Sequence, residues 1–294
     1  MKSQRQEQAP TETVRRIYRK LSRLWGPQHW WPAETAFEVV VGAILTQNTS
    51  WTNVEKAIAN LREADALNIE GIRGLPIAEL EQLIRPSGYF RQKAARLNKF
   101  VAFLDGNYAG SLATMLAMPT LQLRAELLEQ KGIGPETADS ILLYAGQKAT
   151  FVVDAYTRRV LERHDAVAAS AKYEEVRELV ESALQEEQPP AAQEEQPPAA
   201  EDATASSGNR PAVHPPSTMS RAARNARVQV FNEMHGLFVQ LGKHYCSKRA
   251  PNCEACPLGE MLNHPIAEKP PVKTRRRAKT MGRAAAQLSG KSRV

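Results

Sequence analysis

Cysteine is scarce: the 294-residue chain has three, all between Cys246 and Cys256. An odd, local cluster of this kind excludes a disulfide framework and has the spacing of metal ligands instead. Long hydrophobic runs are missing as well. The longest apolar stretch, Phe37 to Leu45, falls far short of the ~18 residues of a membrane span. The opening residues, Met1-Lys-Ser-Gln-Arg-Gln-Glu-Gln, contain no apolar h-region, so the expectation is a cytoplasmic chain without a secretion signal. No segment of credible length alternates with period two between hairpin turns, and no sheet is expected.

Acidic residues are outnumbered, 32 against 39 Lys and Arg, for a formal charge of +7. A basic balance points first to a polyanion such as nucleic acid and second to an anionic membrane surface. The excess is local, however. Residues 265–294 hold nine Lys or Arg and one Glu, a net +8, so residues 1–264 sum to −1. An opposite bias lies at Gln185-Glu-Glu-Gln-Pro-Pro-Ala-Ala, which repeats at once and is followed by Glu201 and Asp202: six acids and no base in eighteen residues. Neither segment has the apolar residues that offset the entropy of ordering a chain. Residues 185–220 and 265–294 are therefore expected to be disordered, as are residues 1–10. The eight-residue repeat is far shorter than the period of any stacking repeat and reads as a linker.

The rest reads as helix. Val14, Ile17, Tyr18, Leu21, Leu24 and Trp25 recur at three and four spacing, as do Phe37, Val40, Val41, Ile44 and Leu45, each set marking one buried face. Thr52 with Glu55 looks like a capping box ahead of Val54, Ala57, Ile58 and Leu61. Further helices are expected over 77–84, 89–104, 121–129, 135–145, 154–164, 173–184 and 226–241. The fold class is all-α, with about ten short helices.

Two local patterns carry chemistry. Leu128-Glu-Gln-Lys131-Gly132-Ile133-Gly134-Pro135-Glu136-Thr137-Ala138 is a helix, a Gly-Ile-Gly turn and a second helix opening on proline. The glycines let the backbone approach a ligand, and the N–H groups of the turn form an anion site able to grip a DNA phosphate without reading bases. In isolation such a turn is most often only a turn. Downstream, Phe151-Val-Val-Asp154-Ala-Tyr156-Thr-Arg158-Arg159 delivers an aspartate to a helix start, where the default role is an N-cap.

The hairpin followed by Asp154, in this order and at this interval, resembles the helix-hairpin-helix DNA glycosylases of the endonuclease III superfamily, over roughly Trp30 to Cys256. The resemblance implies a two-lobed fold. A six-helix barrel lobe, residues 32–150, ends with the hairpin; the other lobe joins residues 11–31 to 151–264. A flipped base would occupy the cleft between them with Asp154 at its mouth. It also implies double-stranded DNA containing a damaged base as partner, a monomer, and a place with the nucleoid. Phosphate contacts fall on Gly132, Ile133 and Gly134, with Lys131 beside them.

Residue matches narrow the resemblance. Bifunctional relatives carry a Lys two residues after the Gly-x-Gly, which attacks the sugar C1′; here that position is Glu136, which cannot form an imine. What is left to Asp154 is monofunctional base removal, its carboxylate stabilising oxocarbenium character and orienting a water. Trp30-Trp31-Pro32, Leu45-Thr46-Gln47-Asn48-Thr49-Ser50-Trp51 and Arg85-Pro-Ser-Gly-Tyr89-Phe90-x-Gln92-Lys93 are similar to the 3-methyladenine glycosylase branch. Trp30, Trp31, Pro32 and Trp51 would line the base pocket, where aromatic faces attract a cationic base; packing alone is an equal reading for the tryptophans. Gln47 matches the residue that fills the gap left by the flipped nucleotide. An endonuclease III-type lyase acting on oxidised pyrimidines, and a non-catalytic lesion-binding module with Asp154 only a cap, are the alternatives.

Cys246-x6-Cys253-x2-Cys256 is in register with the family's iron–sulfur loop, but Leu262 stands where the fourth Cys belongs. A [4Fe-4S] cluster takes four thiolates, so the missing one counts against it. Three outcomes stay open: a cluster with a substitute ligand such as His264, zinc held by the three cysteines with His244 or His264, or no metal. The chemistry expected of Asp154 requires none of them.

Overall fold

The computed structural model describes residues 2–190 and 215–263, with side chains from residue 9 onward. Residues 191–214 and 264–294, which hold most of the acidic repeat, His264 and the basic tail, lie outside the described residues. Thirteen α-helices are described: α1 (Lys2–Trp25), α2 (Ala36–Leu45), α3 (Trp51–Glu63), α4 (Ile69–Gly74), α5 (Ile77–Leu83), α6 (Phe90–Tyr108), α7 (Leu112–Ala117), α8 (Thr120–Glu129), α9 (Pro135–Ser140), α10 (Ala155–Arg163), α11 (Tyr173–Ala183), α12 (Thr218–Arg221) and α13 (Ala226–His244). There is no strand among them.

The expected apolar faces are the buried ones. Val14, Ile17, Tyr18, Leu21 and Trp25 of α1 are in the core, while Leu24 stays exposed. Central α2 is buried from Phe37 to Leu45 and starts at Thr35, whose hydroxyl accepts the Glu38 N–H. It packs against α3, α6, α9 and the π-helical turn Ile141–Ala145 that prolongs α9. A second set of neighbours is α1 with α11 and α13, and α10 with α13. The π-turn also meets α13, so the joint between the two sets passes beside the residue that opens α10, Asp154.

Several local expectations change. α3 starts at Trp51 after Ser50, so Thr52 lies inside the helix, and Glu55 accepts the Trp51 indole N–H at 2.9 Å instead of closing a capping box. α1 begins at Lys2, within the ten residues expected to be unstructured. The span 185–220, expected to be disordered, is ordered at both edges, over 185–190 and 215–220. Glu187 pairs with Arg19 and the Gln188 carbonyl accepts from the Tyr18 hydroxyl, which ties residues up to 188 onto α1. At the other edge Ser217 caps α12, and its hydroxyl donates to the Trp31 carbonyl at 3.1 Å. α4 and α7 were not expected from periodicity, being six residues each. Their starts at Asn68 and Ser111 are marked by side-chain caps.

Candidate active site

The hairpin is built by α8, a turn and α9. Gly132 has φ +98°, a backbone conformation that favours glycine, and the Arg96 side chain packs against it where a Cβ would stand. Ile133 turns inward and is buried, pinning the loop to the core. Gly134 caps α9 with open space around it, and Pro135 takes the first helical position, an arrangement that leaves the turn's backbone reachable. Lys131 is exposed beside it. Behind the turn, Arg124 of α8 grips the fully buried Asp139 of α9 with two bonds, 2.7 and 3.0 Å, and reaches Glu174 of α11 at 2.7 Å. The hairpin is thereby locked to the body.

Gln47, from the loop after α2, donates through Nε2 to the Gly132 carbonyl and the Thr137 hydroxyl, both at 2.9 Å, and its Oε1 accepts from Arg96. Its amide is therefore committed to the hairpin in the free protein, and use of this side chain as a wedge requires exchanging those partners. Buried Lys93 donates to the Leu45 and Ser87 carbonyls at 2.8 and 2.6 Å, holding the end of α2. Tyr89, at the start of α6, is 62% exposed.

Asp154 occupies the N-cap of α10, where Oδ1 accepts the Thr157 N–H at 2.7 Å. Its second oxygen is not used by the cap and lies 3.6 Å from His235 Nε2. Burial opposes the charge, but His235, by hydrogen bonding and by charge, and the Thr157 N–H outweigh it and hold the Asp154 pKa below the ordinary value. His235 comes from α13 and is buried; its Nδ1 meets the hydroxyl of buried Tyr144 on the π-turn. Burial, with the Asp154 charge second, raises the Tyr144 pKa far above its ordinary value, so its hydroxyl keeps the proton. The contact of Tyr144 with Nδ1 orients the ring so that Nε2 faces Asp154. Sequence reasoning missed both residues. Tyr144 and His235 sit at positions that read as core faces, and the signal available was polar residues, Asn232, Glu233 and His235, on the buried faces of α13.

Glu136 stands at the second position of α9. Its side chain is solvent-reached, yet protein crowds its carboxyl, as at the wall of a cleft; that desolvation, then the charge of Asp154, pushes its pKa up to about 7. Asp154 and Glu136 thus form a coupled pair in which one carboxylate is held ionised and the other binds a proton near neutrality.

Trp30 and Trp31 are buried, Pro32 and Trp51 half-buried. Trp31 packs edge-on against Trp51 at 5.0 Å and tilted on Tyr144 at 4.9 Å. Trp30 lies 6.2 Å from the His235 ring, and Lys243 Nζ sits 5.6 Å above the Trp30 face. The tryptophans expected to line a pocket therefore surround the Tyr144–His235 pair that adjoins Asp154. The indole nitrogen of Trp31 is buried with no hydrogen-bond partner, a polar atom facing the interior without a protein acceptor.

The cysteine loop follows α13. Cys246 is buried, Cys253 and Cys256 half-buried, and Leu262 occupies the fourth position. A cavity of about 10 Å³ is lined by all three cysteines, room for roughly one water-sized occupant. Three thiols, a leucine and so small a space do not fit a [4Fe-4S] cluster.

The HhH-GPD superfamily base excision DNA repair protein model matches residues 41–186. The chain is similar to a candidate DNA repair glycosylase of Methanocaldococcus jannaschii, with 39% identity over 251 residues that cover 85% of this chain and 95% of that protein. Among solved structures, the Helicobacter pylori 3-methyladenine DNA glycosylase bound to 1,N6-ethenoadenine superposes with a TM-score of 0.59 at 28% identity, covering 80% of this chain and 97% of that one. A trapped endonuclease III–DNA covalent intermediate gives 0.62 at 20% identity, over 86% and 95% of the chains, and shares the fold. No helix among the described residues is long and apolar enough to cross a membrane.

Proposed function

Because the chain belongs to the HhH-GPD superfamily of base excision DNA repair proteins, we propose that it is a monofunctional DNA N-glycosylase that removes alkylated purines, of the 3-methyladenine kind, from double-stranded DNA. The observation that carries this reading is the pairing of an ionised Asp154 with Glu136 where a lyase needs lysine. Glu136 has no nucleophilic nitrogen, and Lys131, on the exposed side of the turn, is read as a phosphate contact.

The chemistry asks little of the protein beyond charge and position. The hairpin holds backbone phosphate at the N–H groups around Gly134, Gln47 fills the stack, and the target nucleotide turns into the cleft. As the N-glycosidic bond breaks, its electron pair leaves with the base and positive charge develops at C1′. The Asp154 carboxylate stabilises that charge, and the water that adds to C1′ gives up its proton to it. An alkylated purine already carries positive charge, so it departs without an acid to protonate it. Trp30, Trp31, Pro32 and Trp51 suit such a base, since aromatic faces attract a cation by roughly 0.5 to 2 kcal/mol. The substrate of the Helicobacter relative supports the same choice. The reading places the protein on nucleoid DNA as a monomer.

Asp154→Asn tests it. Base release should fall to background while lesion-DNA binding persists, and borohydride treatment of the wild-type protein on abasic DNA should trap no adduct. Full activity of the variant overturns the role of Asp154; an abundant trapped adduct overturns the monofunctional assignment.

A further inference from the structure

Lys243 takes no part in the chemistry derived above. It stands on the last turn of α13, eight residues beyond His235, a spacing that puts both side chains on one face of the helix. Trp30 meets both: its ring lies 6.2 Å from that of His235, and Lys243 Nζ sits 5.6 Å from the centre of its face. Two carboxylates act on the ammonium from other elements, Glu55 of α3 and Asp154 at the start of α10. Glu55 is also the group that accepts the Trp51 indole N–H at 2.9 Å. The ammonium thus lies over one tryptophan, in the field of the carboxylate that holds another and of the carboxylate assigned to C1′. The backbone that carries it is fixed. The Tyr156 ring of α10 packs where a Cβ on Gly242 would stand, and Arg159 Nε donates to the Cys246 carbonyl at 2.6 Å. Lys243 itself is exposed, so a bound base can reach it. We propose that Lys243 is the proton donor to the departing base, and that it extends base removal from cationic alkylpurines to neutral modified purines such as 1,N6-ethenoadenine. The proposal rests on the glycosylase reading above.

The two kinds of base place different demands on the site. A cationic purine accepts the electron pair of the breaking bond and leaves neutral. A neutral purine that accepts the same pair leaves as an anion unless a proton reaches its ring. Lys243 supplies that proton from Nζ to a ring nitrogen as the C1′–N9 bond breaks, and becomes a neutral amine. Water adds to C1′ and its proton goes to Asp154; transfer of that proton from Asp154 to Lys243 restores both groups, and the sum is hydrolysis. Crowding by protein lowers the Lys243 pKa against the opposing pull of Glu55 and Asp154, which makes the ammonium a stronger acid than a free lysine. A fixed ammonium on Trp30 assists a neutral base and brings nothing to one that is already a cation.

Release of 1,N6-ethenoadenine from a duplex and of 3-methyladenine from methylated DNA, measured side by side in single turnover, tests the proposal. The wild-type protein is expected to release both. In Lys243→Met the ratio of neutral to cationic base released should fall by about 100-fold or more, the size of a general-acid contribution. Lys243→Arg keeps a charge over Trp30 but holds its proton too tightly to transfer it, so its ratio should fall as well. An unchanged ratio in Lys243→Met, a ratio restored in Lys243→Arg, or a ratio that falls in Glu136→Gln and not in Lys243→Met would overturn the proposal. So would a wild-type protein that releases 3-methyladenine alone. Release of neither base would overturn the glycosylase reading together with it.

Discussion

At the scale of the residue, Asp154 combines a structural role, the cap of α10, with the chemistry proposed for it. One oxygen caps α10 and the other faces His235. The cap reading is met by one oxygen, and the proposed catalytic role would fall to the other. The sequence showed the aspartate and the departure at Glu136, because each is a local offset from the Gly132-Ile133-Gly134 turn. It did not show Tyr144 or His235, since their meeting with Asp154 joins residues far apart in the chain at positions indistinguishable from core. Gln47 was recognised by its neighbours, but its bonds to Gly132 and Thr137 span a tertiary contact that no spacing encodes. His235 makes a pH-dependent contribution that can be measured. It helps hold the Asp154 pKa below its ordinary value, so His235→Gln should raise that pKa and move the acid limb of the base-release pH profile to higher pH. An acid limb that stays in place, or moves down, contradicts the role assigned to His235.

At the scale of the element, helices with an apolar period or a clear start were legible, including the short α5 and α9, whereas α4, α7 and α12 were not. The bounds of α2 and α13 follow from apolar periodicity, whereas α4, α7 and α12 depend on caps and on what they pack against. α13 carries two buried ionisable groups on one helix, His235 and Glu233. Burial raises the Glu233 pKa to about 7 despite the Gln28 N–H, the nearby Arg224 and Gln229, which all pull it down. The folded pKa thus exceeds the unfolded value of about 4.3. Its share of stability is complete below that value and is lost as pH rises through about 7. Glu233→Gln keeps the acceptor for Gln28 without the charge. Its stability relative to wild type should increase between pH 5 and 8, by about 2 kcal/mol, as read from denaturant midpoints; a difference independent of pH would contradict the burial of this carboxyl.

At the scale of the whole molecule, the overall charge first suggested a nucleic-acid partner, but the excess resides in residues 265–294 while residues 1–264 sum to −1. DNA is instead indicated by the hairpin of one packed group of helices together with Asp154, which opens α10 in the other. The acidic segment divides as well: Glu187 pairs with Arg19, whereas Glu194, Glu195, Glu201 and Asp202 lie outside the described residues, and their charge is complementary to that of the basic tail. Deleting residues 191–202, which spares the ordered edge, should tighten non-specific DNA binding and steepen its salt dependence. Unchanged affinity and slope would remove any masking of the tail.

The central claim is that a hairpin, an ionised Asp154 and a glutamate in place of lysine make a base-removing enzyme without strand cleavage. A panel of duplexes, each with one lesion, scored separately for free base and for nicked strand, tests it most directly. The account predicts release of 3-methyladenine with the sugar–phosphate backbone intact. Release of oxidised pyrimidines accompanied by strand cleavage, or binding to lesions with no base released from any duplex, would contradict it.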